Sequence, residues 1–224
     1  MTVPISLEVT HDDLLVGIVE ARDVRRGSAD ASLAAEIDAA LEQRLGIEPQ
    51  PNALTAAIRD LLRKGGYKPT GRGKPASEYL AQAAARSEFP RISHVVDALN
   101  LVSLESGLPI SLLDADLAMA GTTGLVIRLG HPSEKYVFNA AGHEIDVAGL
   151  LCVARKAGPA IGNAVKDSMA TKTTPESRDV AAIVWASRRA VDVAALTAVC
   201  ERLARMLGAA ETSVRVLAPE PASS

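Results

Sequence analysis

The feature that most constrains this chain is a helix-forming segment that is apolar around its whole circumference. Residues 93–114 read SHVVDALNLVSLESGLPISLLD. At about 100° per residue, the valines and leucines between Val95 and Leu104 point away from the helix axis in nearly every direction. A helix that is hydrophobic all round is a buried helix, so this segment predicts a helix surrounded by the core.

One polar strip interrupts the apolar surface of this helix. Asp97, Asn100 and Ser103 fall within an arc of roughly 120° on the helical wheel, and Ser111 and Asp114 return polar groups to the same neighbourhood after a proline turn. A buried polar group without a partner costs about 1 to 3 kcal/mol, so the strip must meet backbone groups, a cavity or a ligand. The spacing leaves open whether these side chains are struts in the core or one wall of a polar pocket.

The remaining sequence predicts a mixture of helices and strands. Two β-type runs, 5–9 and 14–21, are separated by a short polar stretch and predict a hairpin or a pair of strands. Residues 158–177 are rich in Gly, Ser and Thr and predict a loop with little regular structure. Because most of the strand-like runs follow residue 120, the pattern favours an α+β fold over a regular βαβ series.

Composition and charge exclude several classes of protein. The 224 residues are 48% hydrophobic, with a net charge of −3, and no run approaches the roughly 18 to 20 apolar residues of a membrane span. The N-terminal residues lack the basic-then-apolar order of a secretory signal, so the expected location is the cytoplasm, with no membrane partner. The four histidines are scattered and Cys152 and Cys200 have no metal-type spacing, so we expect no metal ion and no cofactor.

With this net charge, any contact with a polyanion must be local. Between Asp60 and Glu78 the chain carries five cations without an intervening acid, interleaved with glycines: Arg63, Lys64, Lys68, Arg72 and Lys74. Such a cluster can grip phosphates. A solvated loop between two helices has the same composition, and charge alone does not separate the two interpretations.

A second polar stretch lies within residues 162–177, GNAVKDSMATKTTPES, where Lys166 and Lys172 accompany Asp167 and several hydroxyls. Such a set can bind a phosphate or a ribose. A surface loop rich in Ser and Thr is the alternative.

Several short motifs recur together in one known family. Val96 and Asp97 precede Asn100, an E-x-G-x-P segment ends at Pro109, and the following turn closes on Asp114. With the later runs 125–128 and 144–146, this order resembles the B3/B4 domain of the β subunit of bacterial phenylalanyl-tRNA synthetase. The stretch 67–78 is similar to the corresponding segment of free-standing relatives, and the resemblance spans roughly residues 60–186.

The resemblance implies a fold and a chemistry. The fold is α+β, B3/B4-like, with two packed β-sheets and flanking helices in a single domain over residues 1–210, of which 1–59 form an N-terminal extension and 211–224 a tail. The implied partner is tRNA or aminoacyl-tRNA, and the implied reaction is hydrolysis of a wrongly esterified amino acid. Such editing is needed because one apolar site discriminates weakly against an added hydroxyl.

The resemblance and the charge pattern together assign roles to individual residues. The expected substrate pocket is lined by Asn100, Ser103, Ser111 and Asp114. Structural roles are expected for Asp97 and Pro109. The expected RNA contacts are Lys68, Arg72, Lys74, Lys166 and Lys172.

Two positions depart from the family pattern. Relatives carry a histidine where this chain has Ser111, and a pocket glutamate in a run that reads Leu151-Cys152-Val153-Ala154 here. The catalytic residues therefore stay unassigned. The same departures, with the acidic pI, leave open a second function, a non-catalytic module that binds a free amino acid or a similar small metabolite.

Overall fold

The structure, a computed structural model, describes residues 3–219. Its helices are α1 (Ala31–Glu42), α2 (Ala53–Arg63), α3 (Ala76–Ala85), α4 (His94–Ser106), α5 (Ala115–Met119) and α6 (Val193–Met206). Its strands are β1 (Ile5–Leu7), β2 (Leu14–Arg22), β3 (Ile110–Asp114), β4 (Leu125–Leu129), β5 (Lys135–Val137), β6 (Glu144–Asp146), β7 (Leu151–Arg155), β8 (Ala160–Asn163), β9 (Val180–Ser187) and β10 (Glu211–Leu217).

The strands form two four-stranded sheets and a small ribbon. The central sheet has the order β10-β2-β9-β3 and is antiparallel throughout. The second sheet has the order β1-β4-β7-β8, in which only β1 and β4 are parallel. The ribbon pairs β5 with β6. This α+β arrangement of two packed sheets with helices confirms the predicted fold class.

The central sheet is buried on both faces, which explains why β2 and β9 read as continuous apolar runs. Leu15 and Val19 of β2 face the core shared with the helices, whereas Val16 and Ile18 face the core shared with the second sheet. Side chains alternate across a strand, so each sheet face needs its own apolar partner layer. The molecule therefore has three layers, in the order helices, central sheet and second sheet.

Helix α4 occupies the middle of the helical layer, as its sequence requires. It contacts α1, α3, α6 and β3, and ten of its thirteen residues are buried. Gly107 ends the helix with a φ of 71°, in the left-handed region that glycine adopts without strain. The chain then turns at Pro109 into β3, at the edge of the central sheet.

Three expectations about the chain are corrected. The hairpin predicted from runs 5–9 and 14–21 is wrong, since β1 pairs with β4 of the second sheet while β2 lies in the central sheet. The tail predicted from residue 211 begins as β10, which pairs with β2 over its whole length. Both outcomes reflect strand pairing, because β2 pairs with β10 along one edge and with β9 along the other, which leaves no free edge for β1.

The third correction concerns residues 158–177. Rather than lacking structure, this segment contains β8 and a 3-10 turn at Met169–Thr171. Within residues 3–219, none of the helices combines the length and apolar character needed to cross a membrane.

Candidate functional site

Two adjoining cavities lie where α3, the 3-10 turn Gly71–Gly73 before it and the loop after β8 meet. The larger, of about 570 Å³, is here named the cationic chamber. The smaller, of about 310 Å³, is named the apolar chamber. The two form one cleft, because they share the lining residues Ala76, Tyr79, Val165, Lys166, Asp167 and Lys172.

The cationic chamber gathers positive charge from two separate parts of the sequence. Arg72 and Lys74 come from the glycine-rich turn, and Lys166 and Lys172 come from the loop after β8. Tyr79, an aromatic residue that is 61% exposed, also lines the chamber. Four cations beside an exposed aromatic ring suit a ligand that carries both phosphate and a planar base.

The apolar chamber is walled by aliphatic side chains of α4, β3 and their neighbours, among them Leu99 and Leu112. Asn100 is the exception. Its side chain is 7% exposed and makes no hydrogen bond to any other residue within 3–219, yet it lines this chamber. The Asn100 amide atoms are not among the shielded unpartnered atoms of the described residues, so they reach the chamber, where a ligand group or a water can supply the partners that an amide needs.

A buried polar network fixes the loop that carries Lys166 and Asp167. Trp185 Nε1 donates to Ser111 Oγ at 3.0 Å, and Ser111 Oγ donates to the Asn163 carbonyl at 2.9 Å. The Asn163 side chain donates to the Tyr136 hydroxyl, which donates to the Lys166 carbonyl at 2.6 Å. Burial raises the pKa of Tyr136, so its hydroxyl stays protonated and can serve as that donor.

The same asparagine also caps the loop directly. Asn163 Oδ1 accepts hydrogen bonds from the amides of Val165 and Lys166, at 2.8 and 3.0 Å. The backbone amide of Ala76 donates to the Ala164 carbonyl at 2.9 Å. This last bond ties the N-terminus of α3 to the end of β8, so the two sources of positive charge are held in a fixed relation.

Asp167 lies at the junction of the two chambers. Its Oδ2 accepts a hydrogen bond from the Leu112 amide at 2.9 Å, whereas Oδ1 is shielded from solvent and has no partner among the described residues. The absence of a side chain at Gly162 makes room for this carboxyl, since a Cβ there would lie 2.7 Å from Oδ1. Burial raises the pKa of Asp167 to about 6.

Lys166 lies at the rim of the cationic chamber, beside Phe138. Burial and the neighbouring Arg72 lower the pKa of Lys166. Its Nζ lies 4.0 Å from the centre of the Phe138 ring, and Lys172 Nζ donates to the Phe138 carbonyl at 3.4 Å. Both ammonium groups are therefore held toward Phe138 at the rim of the cationic chamber.

Of the four residues expected to line the substrate pocket, only Asn100 lies on the cleft. Ser103 Oγ donates to the Leu108 carbonyl at 2.7 Å, and Ser111 belongs to the buried network; both side chains are fully buried. Asp114 caps α5 by accepting from the Leu117 amide and also accepts from Ser177 Oγ. These three residues do not line the cleft, and their polar groups join elements of the core.

The remaining predicted residues are the two with expected structural roles and the five expected RNA contacts. Asp97 accepts from the Ile92 amide at 2.7 Å, and the Pro109 carbonyl accepts from the Trp185 amide at 3.0 Å. Four of the five expected RNA contacts line the cationic chamber, while Lys68 is exposed and lines neither chamber.

Sequence reasoning placed Asp167 only as one member of a polar loop that can bind a phosphate or a ribose, and it gave no site role to Tyr79. Asp167 was visible only as the acid between two lysines in a polar loop, and nothing in the sequence showed that it would be shielded. Tyr79 follows the predicted start of α3 and carried no motif. Both become evident only when α3 packs beside the loop after β8.

Together these observations describe an α+β domain with a cationic cleft that opens onto an apolar chamber beside a buried helix. Comparison with known families gives a more particular assignment. The family model described as B3/4 domain matches residues 68–210, more than half of the sequence, and the chain belongs to this family.

Comparison with solved structures and curated proteins adds less. A crystal structure of an N-terminal fragment of the phenylalanyl-tRNA synthetase β subunit from Pyrococcus horikoshii is similar, with 9% identity and a TM-score of 0.47. The match covers 96% of this chain and 51% of that one, so this chain spans about half the length of the solved fragment. No curated protein matches the chain.

Proposed function

We propose that this protein binds the aminoacylated 3′ end of a tRNA and hydrolyses the ester that joins the amino acid to it. The observation that carries the proposal is the convergence of Arg72, Lys74, Lys166 and Lys172 on one chamber. These residues come from two segments about 90 positions apart in a chain of net negative charge. The membership of the B3/4 domain family supports the same conclusion.

The two chambers fit the two halves of such a ligand. The terminal nucleotides are anionic and carry planar bases, which match the cations and Tyr79 of the cationic chamber. The aminoacyl group is compact and partly apolar, which matches the aliphatic walls of the apolar chamber. The ester bond then lies at the junction that the two chambers share.

The chemistry that the site must supply is modest. A water attacks the ester carbonyl carbon and gives up a proton, and the carbonyl oxygen gains negative charge. As the carbonyl re-forms, the carbon–oxygen bond to the ribose breaks and the ribose oxygen takes up a proton equivalent to the one that the water lost. Because an ester is already activated, the reaction needs mainly a positioned water and stabilisation of the developing oxyanion. In our proposal the Asn100 amide orients the water, and Lys166 and Lys172 stabilise the oxyanion.

The finer proposal is that the site acts in trans, on aminoacyl-tRNA released by a synthetase. Incubation of the protein with a panel of mischarged tRNAs tests it, with loss of the radiolabelled aminoacyl group as the readout. We expect the double variant Lys166→Ala, Lys172→Ala to bind tRNA about tenfold more weakly and with a shallower salt dependence.

A matched control tests whether the effect is local. Lys156→Ala with Arg188→Ala removes two exposed cations that line neither chamber, and should leave tRNA binding unchanged. Absence of deacylation and of salt-sensitive binding for every tRNA of the panel would refute the proposal.

A second candidate function is the binding of a free amino acid or similar metabolite without RNA. The absence of the family histidine, at Ser111, and of the family glutamate, at Cys152, favours it, because both positions are filled by core residues that do not reach the cleft. Under this reading, amino acids raise the melting temperature of the protein, and the double lysine variant has no effect on any RNA interaction.

A further inference from the structure

Asp167 is the one acidic residue among the described residues that line either chamber. It lies at the junction, between two lysines that the chambers also share. Neither lysine forms an ion pair with it among residues 3–219, since Lys166 lies over the Phe138 ring and Lys172 donates to the Phe138 carbonyl. The carboxyl is therefore a half-buried acid that forms no direct ion pair with either lysine.

A carboxyl in this position lacks the partners that it needs. The Leu112 amide supplies one hydrogen bond to Oδ2, which leaves this oxygen a second acceptor position, whereas Oδ1 is shielded against Gly162. Buried carboxylates are stable only when paired or fully hydrogen-bonded. The missing partner is a donor, and a positively charged one satisfies both the charge and the hydrogen-bonding capacity of the group.

The position of Asp167 indicates which donor would meet it. In an aminoacyl ester with its ribose in the cationic chamber and its side chain in the apolar chamber, the α-carbon lies at the junction. The α-ammonium group is two bonds from the ester carbonyl carbon, so it lies at the junction as well. No other acidic side chain lines the cleft within the described residues.

We propose that Asp167 is a specificity-determining residue that binds the free α-ammonium group of the aminoacyl ligand. The substrates are then aminoacyl esters with an unblocked amine, and esters whose amine is acylated, such as peptidyl or formylated aminoacyl esters, are rejected. Acylation removes the positive charge and adds bulk where the carboxyl is shielded. This inference rests on the proposed function, because it assumes that the ester lies across the two chambers.

Non-hydrolysable analogues test the inference on the full chain. The probes are 3′-amino-3′-deoxyadenosines acylated through the 3′-amine with L-alanine, L-leucine or L-phenylalanine, each prepared with a free and with an acetylated α-amine. Dissociation constants are measured by calorimetry for the wild type and for Asp167→Asn, which keeps an acceptor for the Leu112 amide and removes the charge. Asp167→Glu, which keeps the charge, serves as a second variant, and Asp116→Asn, at an exposed acid outside the cleft, is the control.

The wild type and Asp116→Asn are expected to prefer the free amine by about 10- to 100-fold, the factor that one charge-assisted hydrogen bond provides. Asp167→Asn should lose this preference while its affinity for the acetylated analogue is unchanged, and Asp167→Glu should retain part of it. A wild type that binds both forms equally, or an Asp167→Asn variant with the full preference, overturns the role of Asp167 and leaves the proposed function standing. A wild type that binds none of the analogues overturns both.

Discussion

Two sets of buried or half-buried polar side chains lie within one small region of this molecule, and they differ in how their hydrogen-bonding groups are satisfied. In the first set, Ser103, Ser111 and Asn163 each have their polar groups engaged by hydrogen bonds to the core. In the second set, within the described residues, the Asn100 side chain has no hydrogen-bond partner and the Asp167 carboxyl has only the Leu112 amide, and both residues line the cleft.

This difference distinguishes polar side chains that support the fold from polar side chains that are available to a ligand. A polar group that has its partners stabilises or specifies the fold, whereas one that faces a cavity without a partner destabilises the protein until a ligand supplies one. Removing a member of the first set should therefore reduce stability. Removing a member of the second should reduce binding and leave stability unchanged or higher.

The largest effect is expected at Glu134, the most fully satisfied acid of the described chain. It forms two hydrogen bonds with Arg128, both at 2.8 Å, and accepts from the amides of Ala160 and His131. Both side chains of the pair are nearly buried, with 8% and 13% exposed. Glu134→Gln leaves the Arg128 charge buried without its partner and should lower the free energy of unfolding by about 3 to 5 kcal/mol in urea denaturation.

The pH dependence of this effect has a definite sign. The Arg128 hydrogen bonds lower the pKa of Glu134 to about 2 from its ordinary 4.5. The stabilisation is therefore fully present above about pH 4.5 and is lost as the pH falls toward 2. The difference in free energy of unfolding between the wild type and Glu134→Gln should therefore be about 2 kcal/mol smaller at about pH 3 than at about pH 7. Glu144→Gln breaks the exposed Lys135 pair as a control and should change stability by less than about 1 kcal/mol. If Glu134→Gln and Glu144→Gln lowered the free energy of unfolding equally, the distinction between a buried, fully bonded acid and an exposed one would be contradicted.

The next effect is expected at Asn163, which joins the first set to the second. Asn163→Ala removes the acceptor of the Val165 and Lys166 amides and the donor to Tyr136. Because these groups become unsatisfied in the core, we expect a loss of about 2 to 4 kcal/mol in the free energy of unfolding. Ligand binding should weaken as well, since the loop that carries Lys166 and Asp167 loses its anchor.

Asn139→Ala is the matched asparagine control. Asn139 lines the cationic chamber, but its side chain bonds only to His143 at the surface, so stability should change by less than about 1 kcal/mol. If Asn163→Ala were as stable as Asn139→Ala, the buried network would not be what positions the loop.

These two sets also show what the sequence could and could not predict. The burial of α4 followed from its apolar circumference, and the α+β class followed from the order of helical and strand-like runs. The strip Asp97, Asn100 and Ser103 was recognised as polar, but its spacing could not distinguish a strut from a pocket wall. That distinction depends on whether a backbone partner is present, and for Ser103 the partner is the Leu108 carbonyl, supplied by the turn after the helix.

Partners distant in sequence account for the remaining errors. Ser111 meets Trp185 of the neighbouring strand β9 and Asn163 of the second sheet, contacts that no local pattern encodes. The pairing of β1 with β4 instead of β2 is of the same kind, because it depends on how the two sheets stack. Only part of the cationic chamber was predicted. Each of the two clusters of cations was visible in the sequence. That the clusters lie together depends on the packing of α3 beside the end of β8, where the Ala76 amide bonds to the Ala164 carbonyl.

The smallest expected effect, and the one of opposite sign, is the change in stability at Asp167. Burial raises the pKa of this carboxyl to about 6 from its ordinary 3.8. A group whose pKa is higher in the folded state favours folding when protonated, so its contribution is fully present below about pH 3.8 and is lost as the pH rises through 6.

Asp167→Asn removes this titration while keeping an acceptor for the Leu112 amide, so the variant should gain about 2 kcal/mol relative to the wild type between about pH 4.5 and pH 7.5. Urea denaturation of both proteins at the two pH values measures the gain, and titrations elsewhere in the chain cancel in the difference. A structural acid that was satisfied like Glu134 would give the reverse, with the substitution most harmful near neutral pH. A gain in stability accompanied by a loss of ligand binding is the behaviour of a residue retained for function, because a carboxylate that destabilises the folded protein is kept only where a ligand uses its charge.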